Sequence, residues 1–250
     1  MKQVVILAFF TLLALHASKS LAWGRKGHEI IAEIAFSRLS PTVKNTVLKY
    51  LDGLTIQQAS TWMDDIRGNT TYSALEKAHY INIPSTSNPE TDVQRELEKT
   101  FLELEDKKSL NDSLIRLDLL KIFHLIGDLH QPLHTGYESD RGGNSVAVDF
   151  FGRKSNLHRV WDSQIIEKAE IDSLDIAIYI IEQPKSEISS FSKVNISAWI
   201  QESHSYLDRV YTIQNGAIDD KYILNSVPVV TSQLAKAALR LQRVLEIYFS

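Results

Sequence analysis

The sequence predicts a mainly α-helical protein, a single-domain helical bundle with a short β-hairpin near residues 145–157. Three observations favour this class. Apolar residues recur at helical spacing along most of the chain, and no internal repeat or low-complexity linker divides it. Cysteine is absent, so no disulfide framework replaces a hydrophobic core. Residues 23–250 are enough for one domain with a substantial core.

The first 22 residues are predicted to be a cleaved signal peptide. Lys2 gives a positive start, residues 4–15 form an apolar run too short to span a bilayer, and Ala22 ends a Ser-Leu-Ala cleavage pattern. The alternatives are an uncleaved anchor or cleavage one residue to either side. Cleavage after Ala22 predicts a secreted or periplasmic protein. Because Lys2 and Lys19 leave with the leader, the formal net charge changes from −4 to −6, which does not by itself favour a polyanionic partner.

Helices are predicted wherever apolar residues at spacings of three and four are bounded by turn residues. They cover residues 27–39, 42–51, 56–66, 90–104, 111–129, 160–169, 171–181, 197–211 and 227–248. Asp52-Gly53 separates the second from the third. The 90–104 segment is charged and is expected to be solvent-exposed. By contrast, 111–129 is apolar nearly all round in its second half and is expected to be the buried central helix.

A short β-hairpin interrupts the helical pattern. Apolar side chains alternate at Val146, Val148 and Phe150, and Gly152 follows as a turn residue. This period of two predicts a strand that turns back on itself.

Histidine and aspartate pairs indicate a metal site. His124 and Asp128 lie four residues apart on the predicted central helix and therefore project from one face. His158 and Asp162 repeat this spacing. A polar pair on a buried helix is costly unless it is paired or coordinated. Taken singly, each pair is more often a hydrogen-bonded or surface contact than a pair of metal ligands.

The predicted new N-terminus adds a further ligand. A free α-amino group at Trp23 could chelate a metal together with its own carbonyl oxygen, and His28 follows five residues later. Without cysteine, the available ligands are histidine, carboxylate and the chain terminus. The combination of the two pairs with this terminus favours a zinc cluster.

Several other polar and aromatic residues have simpler interpretations. Arg67 could be a cation at a helix C-terminus, and His130 is interpreted as a packing residue or as support for a ligand. The tryptophans Trp62, Trp161 and Trp199 are expected to be core aromatics.

Six ordered motifs bring these residues together. They are Trp23-Gly-x-x-Gly-His28, Trp62-Met-Asp64-Asp-Ile-Arg67, His79-Tyr80-Ile-Asn82, His124-Leu-Ile-Gly-Asp128-Leu-His-Gln-Pro-Leu-His134, Arg141-Gly-Gly-Asn144 and Asn156-Leu-His158-x-x-Trp-Asp162. In this order the motifs resemble the S1/P1 nuclease family, which shares its fold with the zinc-dependent bacterial phospholipase C enzymes. The resemblance extends along essentially the whole of residues 23–250.

The resemblance implies three zinc ions per chain, with nine ligand residues divided among them. The first zinc would be held by Asp64, His79, His124 and Asp128. The second would be held by the amine and carbonyl of Trp23, by His28 and by Asp128 as a bridging carboxylate. The third, more exposed zinc would be held by His134, His158 and Asp162.

The resemblance also implies an activity. It is that of a zinc-dependent endonuclease and 3′-nucleotidase, which hydrolyses single-stranded DNA and RNA to 5′-phosphorylated products through a hydroxide that bridges two zinc ions. The implied catalytic residues are Asp64, Arg67 and Asn82. Substrate contacts fall to Tyr80, which would stack a base, and to Asn82 and Asn144. The zinc charges would let an acidic chain attract phosphate at one cleft. We expect a monomer with no stable protein partner and no membrane association.

Asn82 departs from the pattern of fungal members, which commonly have aspartate there. Asparagine keeps a hydrogen-bond acceptor, adds donors and removes the charge. A phospholipase C of the same fold and a non-catalytic zinc-binding protein are the alternative functions. Against the phospholipase stand aspartate rather than glutamate at Asp162, and the presence of Arg67 and Asn144.

Overall fold

A computed structural model describes residues 23–84 and 91–250. The predicted signal peptide, residues 1–22, and the first residue of the predicted 90–104 helix lie outside these ranges. The described chain is mainly helical with a small three-stranded sheet, which confirms the predicted fold class. The α-helices are α1 (Arg25–Ser37), α2 (Pro41–Leu51), α3 (Ile56–Asp65), α4 (Val93–Glu105), α5 (Asp112–Leu129), α6 (Leu157–Arg159), α7 (Ile165–Lys168), α8 (Ser173–Glu182), α9 (Lys185–Phe191), α10 (Ile196–His204), α11 (Leu207–Val210) and α12 (Asp220–Phe249).

Helices α2 and α3 begin at local sequence signals. Ser40 caps α2 by accepting a hydrogen bond from the Val43 N–H, and Thr55 and Gln58 form a reciprocal capping box at the start of α3. Asp52 ends α2 in the left-handed conformation, with a φ of 49°. These signals explain why the predicted bounds of α2 and α3 agree with the observed ones to within about a residue.

Helix α5 is the buried central helix, as predicted. Asn111 caps its start by accepting a hydrogen bond from the Leu114 N–H, and every residue from Asp118 to Leu129 is buried. Helices α2, α3, α4 and α12 all pack against it. Polar side chains on the second half of α5 therefore need partners inside the protein.

The prediction that residues 90–104 are solvent-exposed was wrong for one face of α4. Leu97 and Phe101 are buried there, as is Glu96, whose carboxylate lies 2.9 Å from the Lys121 Nζ of α5. A buried acid is stable only with such a partner, and that partner is distant in the sequence. The charge pattern of α4 alone therefore suggested a surface helix.

The predicted hairpin is confirmed. Strands β1 (Ala147–Phe150) and β2 (Arg153–Asn156) are antiparallel, with the turn at Phe151 and Gly152. The Asp149 carboxylate accepts a hydrogen bond from the Gly152 N–H at 2.6 Å. Strand β3 (Ala217–Ile218) adds a parallel neighbour to β1 and was not predicted, because two residues carry no readable periodicity.

The C-terminal helices differ most from the sequence-based expectation. The predicted 197–211 helix is divided into α10 and α11, α9 was not predicted, and α12 begins at Asp220 rather than at residue 227. Pro228 lies inside α12, where proline usually marks a helix boundary, and this explains the late predicted start. Helix α12 packs along α1, α5 and α8 and closes the core. Within the described ranges, no helix is both long and apolar enough to cross a membrane.

Candidate metal centre

The predicted histidine and aspartate ligands converge from separate segments onto one side of α5. The predicted ligands come from α1, α3 and α5, from the residue pair after the short helix Thr70–Lys77, from a short helical turn at Pro132–Thr135, and from α6 and the segment that follows it. All of these side chains are buried; they are His28, Asp64, His79, His124, Asp128, His134, His158 and Asp162. Segments that are distant in the sequence therefore meet at one polar cluster inside the protein.

Asp128 lies at the centre of the cluster. Its Oδ1 is 3.2 Å from His28 Nε2, while its Oδ2 is 2.9 Å from His79 Nδ1 and 3.2 Å from His124 Nε2. The two oxygens of one carboxylate thus face imidazoles from different segments. This is the arrangement that a carboxylate needs in order to bridge two cations.

Asp64 extends the cluster on the α3 side. Its Oδ1 lies 3.8 Å from His124 Nε2, and the rings of His28 and His124 stack with centroids 4.1 Å apart. One ligand atom each from Asp64, His28 and His124 falls within a 4.8 Å separation. His124 therefore lies near both aspartates, Asp64 and Asp128.

A second group of predicted ligands, His134, His158 and Asp162, lies beside the group around Asp128. His134 Nε2 is 3.7 Å from Asp162 Oδ1, and His158 Nε2 is 3.4 Å from Asp162 Oδ2. Asp162 lies in a π-helical segment, Val160–Gln164, that joins α6 to α7 without a break. Such π-bulges often occur at functional sites, because the wider turn redirects one side chain.

Backbone carbonyls orient three of the histidines. Each of these donates its Nδ1–H to a main-chain oxygen, so that Nε2 faces the cluster. The pairs are His124 with Ser60 at 2.7 Å, His134 with His79 at 2.7 Å and His158 with Gly142 at 2.6 Å. Sequence reasoning missed these partners because every residue type has a carbonyl oxygen, so no sequence signal marks them.

Two motif glycines allow close approach within the site. A Cβ on Gly127 would lie 2.8 Å from His28 Nδ1, so only glycine lets α5 pack against that ring. Gly142 has a φ of 60°, and a Cβ there would lie 2.4 Å from the Leu133 carbonyl oxygen. This conformation directs the Gly142 carbonyl oxygen towards His158 Nδ1, which lies 2.6 Å away.

Burial and nearby charges have opposite effects on the pKa values of the histidines around Asp128. Burial lowers the pKa of His28 and lowers the pKa of His79 to about 4, so both are neutral, the form that binds metal. Burial also acts to lower the pKa of His124, but the carboxylates of Asp128 and Asp64 outweigh it and raise the pKa of His124 to about 9. The buried carboxylates therefore require positive charge, which a proton on His124 or a metal cation can supply.

The donor set fits metal ions. Several buried atoms of ligand residues in the described chain make no hydrogen bond, which is costly inside a protein. They are Oδ2 of Asp64, Oδ1 of Asp128, both ring nitrogens of His28 and Nε2 of His134. Side chains of the types that zinc prefers form three compact groups. The groups are His28 with Asp64 and His124, His79 with His124 and Asp128, and His134 with His158 and Asp162.

Trp23 is fully buried at the start of α1. The following Gly24 N–H donates to the Asp162 carbonyl oxygen at 2.6 Å, which fixes this end of α1 against the π-helical segment. The predicted chelating residue therefore lies next to an element that carries another predicted ligand.

Of the predicted catalytic and substrate residues, Arg67 contacts a predicted ligand, and Tyr80 directly follows another in the sequence. Arg67 follows α3 and places its Nη2 3.0 Å from Asp64 Oδ1, with 23% of its side chain exposed. Tyr80, directly after His79, is 42% exposed, and Asn82 and Asn144 are partly buried. Asn144 Nδ2 donates to the Arg141 carbonyl. The structure thus brings Arg67 into the cluster and leaves the Tyr80 ring accessible at its edge.

His130 is a packing residue, in line with one of its two interpretations. Its Nδ1–H donates to the Ile126 carbonyl at 2.6 Å, and its Nε2 accepts from Arg240 at 2.6 Å. Of the tryptophans, Trp161 and Trp199 are buried in the core, and Trp62 packs against it with partial exposure.

Comparison with known proteins identifies the family. The family model described as S1/P1 Nuclease matches residues 23–250. The chain is 27% identical to Endonuclease 2 of Arabidopsis thaliana, covering 98% of this chain and 97% of that protein. It is 26% identical to Nuclease S1 of Aspergillus oryzae, covering 94% of each chain, and 25% identical to Nuclease P1 of Penicillium citrinum over 58% of this chain and 59% of that one. With its three buried His/Asp groups, the chain belongs to the S1/P1 nuclease family.

Proposed function

We propose that this protein is a zinc-dependent endonuclease and 3′-nucleotidase that hydrolyses single-stranded DNA and RNA to 5′-phosphorylated products. The observation that carries the proposal is the position of Asp128, whose two oxygens face different histidines, next to a second His/Asp group. The relatives to which the chain is similar, which include an endonuclease and two nucleases, support a nucleic acid substrate.

Three zinc ions would account for the donor set. The nine proposed ligand residues are Trp23, His28, Asp64, His79, His124, Asp128, His134, His158 and Asp162. When bound, zinc ions supply Lewis acidity that activates water and offsets negative charge at phosphorus. The backbone carbonyls behind the histidines hold these side chains in place before substrate arrives.

Arg67 is the residue proposed to stabilise charge on the phosphoryl oxygens. Its guanidinium is positioned by Asp64 and retains partial exposure, so a phosphate can reach its donors. Fixed donors aimed at developing charge are usually the largest electrostatic contribution that a protein makes to such a reaction. Asp64 thus has a positioning role in addition to its proposed ligand role.

The preference for single strands is proposed from Tyr80 and the net charge. The formal net charge, −4 for the full sequence and −6 after the predicted cleavage, argues against a broad basic surface of the kind that holds a duplex. An exposed aromatic ring beside a ligand offers stacking instead, at about 1–3 kcal/mol per base. Asn82 and Asn144 are the proposed polar contacts to the substrate.

An assay on two substrate classes tests the proposed function. The purified mature protein is given single-stranded RNA and, separately, phosphatidylcholine micelles, with an Asp128→Asn variant purified in parallel to reveal contaminating nuclease. We expect cleavage of the RNA to 5′-phosphorylated products and no lipid hydrolysis. Activity on the lipid alone would favour the phospholipase C alternative, and activity on neither would favour a non-catalytic zinc-binding protein.

Asn82→Asp is expected to change base preference or pH dependence while leaving the enzyme active. The substitution restores the carboxylate common in fungal members, which adds a charge beside the ligand-bearing segment and removes two donors. The measurement compares cleavage of four homopolymeric RNAs across a pH series. Asn195→Asp is the matched control, since it makes the same charge change at the exposed cap of α10. Identical base preference and pH profiles in wild type and Asn82→Asp would refute this role.

We further propose that the protein is a secreted or periplasmic monomer that requires no membrane or stable protein partner. The predicted cleavage after Ala22 supports export, and the family match begins at the following residue. N-terminal sequencing of the exported protein tests the cleavage site, with Trp23 as the expected first residue.

A further inference from the structure

Gln131 connects three of the proposed metal ligands. Its backbone N–H donates to the Asp128 carbonyl at 3.0 Å, and its own carbonyl accepts from the His134 N–H at 2.9 Å. Its side chain is fully buried and reaches across to Asp162. It is therefore at the junction between α5, the turn that carries His134 and the π-helical segment.

The contacts of the Gln131 side chain require an amide. Its Nε2 donates to Asp162 Oδ1 at 2.5 Å, and its Oε1 accepts from the Leu133 N–H at 2.5 Å. The carboxylate can only accept and the backbone N–H can only donate, so the amide has one possible orientation. Glutamine supplies one donor and one acceptor at this reach, which neither glutamate nor an apolar residue does.

We propose that Gln131 is a positioning residue that orients Asp162 for metal binding in the group that also contains His134 and His158. The amide fixes Asp162 Oδ1, and this sets the carboxylate so that Oδ2 lies 3.4 Å from His158 Nε2. Groups that hold a ligand from behind typically change metal affinity by about 10- to 100-fold when they are lost. The inference rests on the metal centre of the proposed function.

A purely structural role for Gln131 makes a different prediction. If the side chain serves only to cap the turn through Leu133, then Gln131→Met should lower the melting temperature and leave all three zinc affinities unchanged. If it orients Asp162, then Gln131→Glu should impair the site, because a carboxylate oxygen replaces the donor. Gln131→Met, which removes both contacts at similar size, should impair the site as well.

Zinc titration of the full mature protein against a competing chelator tests the inference. We expect three zinc ions in wild type, and in both Gln131 variants one zinc that binds about 10- to 100-fold more weakly while the other two are unchanged. Gln233→Met is the matched control, since it removes a buried amide that contacts His130 and Ser203 but no proposed ligand. It should lower the melting temperature and leave the zinc affinities unchanged.

A double variant assigns the weakened zinc to the correct group. His158→Ala should remove that zinc, and adding Gln131→Glu to it should leave the affinities of the other two zinc ions unchanged. Wild-type zinc affinity for all three ions in Gln131→Glu would overturn the positioning role, as would weaker binding of the other two zinc ions in the double variant. If wild type itself binds no zinc, it is the proposed function that fails rather than the role of Gln131.

Discussion

A mature chain with one extra methionine before Trp23 is expected to bind two zinc ions instead of three and to lose most of its turnover. The extension converts the α-amine of Trp23 into an amide, which is a far weaker ligand. Loss of a ligand should exceed the roughly 10- to 100-fold effect of losing a residue behind a ligand. Metal analysis and single-stranded RNA cleavage, on proteins with verified N-termini, measure the two effects.

The location of Trp23 supports a role for the new N-terminus in the site. Trp23 is buried, and Gly24 is hydrogen-bonded to the Asp162 main chain. Trp23→Phe with the correct terminus is the matched control, because it keeps the amine and carbonyl and should retain three zinc ions. Full activity and three zinc ions in the extended form would show that the amine is not a ligand. On our account, signal cleavage is a condition for activity.

Asp128→Asn is expected to abolish turnover and to weaken binding of the two zinc ions that Asp128 is proposed to bridge. The substitution replaces one oxygen by an amide nitrogen that cannot bind a cation, and it removes a charge at the centre of the cluster. Because the two oxygens of Asp128 face different histidines, one change affects two ions at once. Zinc titration and the RNA assay report the result.

Asp118→Asn is the control for the Asp128 variant. Asp118 is also a buried aspartate on α5, but it lies 3.1 Å from Lys121 Nζ and contacts no proposed ligand. This control should retain three zinc ions and activity even if its stability falls. An Asp128→Asn protein that keeps three zinc ions and wild-type turnover would show that Asp128 does not bridge two zinc ions.

The sequence predicted which histidines and aspartates lie together better than it predicted the edges of the fold. His124 and Asp128 were predictable because a four-residue spacing on an apolar helix puts both on one buried face. The burial of α4 was not predictable, because it depends on pairing Glu96 with Lys121 across two helices. The start of α12 was missed because of Pro228, whose cost the surrounding packing offsets.

The groups that hold the predicted ligands in place could not be predicted from the sequence either. The carbonyls that orient the histidines, such as that of Gly142, belong to every residue type and leave no pattern. Gln131 stands in the sequence only as one residue of a motif, whereas the structure places its amide against Asp162, which is the basis of its proposed role. Contacts between distant segments set these roles, so spacing along one element could not reveal them.

The most direct test of the central claim is the metal content of the purified mature protein. Elemental analysis of chains that begin at Trp23 should give about three zinc ions per chain, one for each proposed zinc position. A count of zero under zinc-replete conditions would contradict the metal centre and every function derived from it.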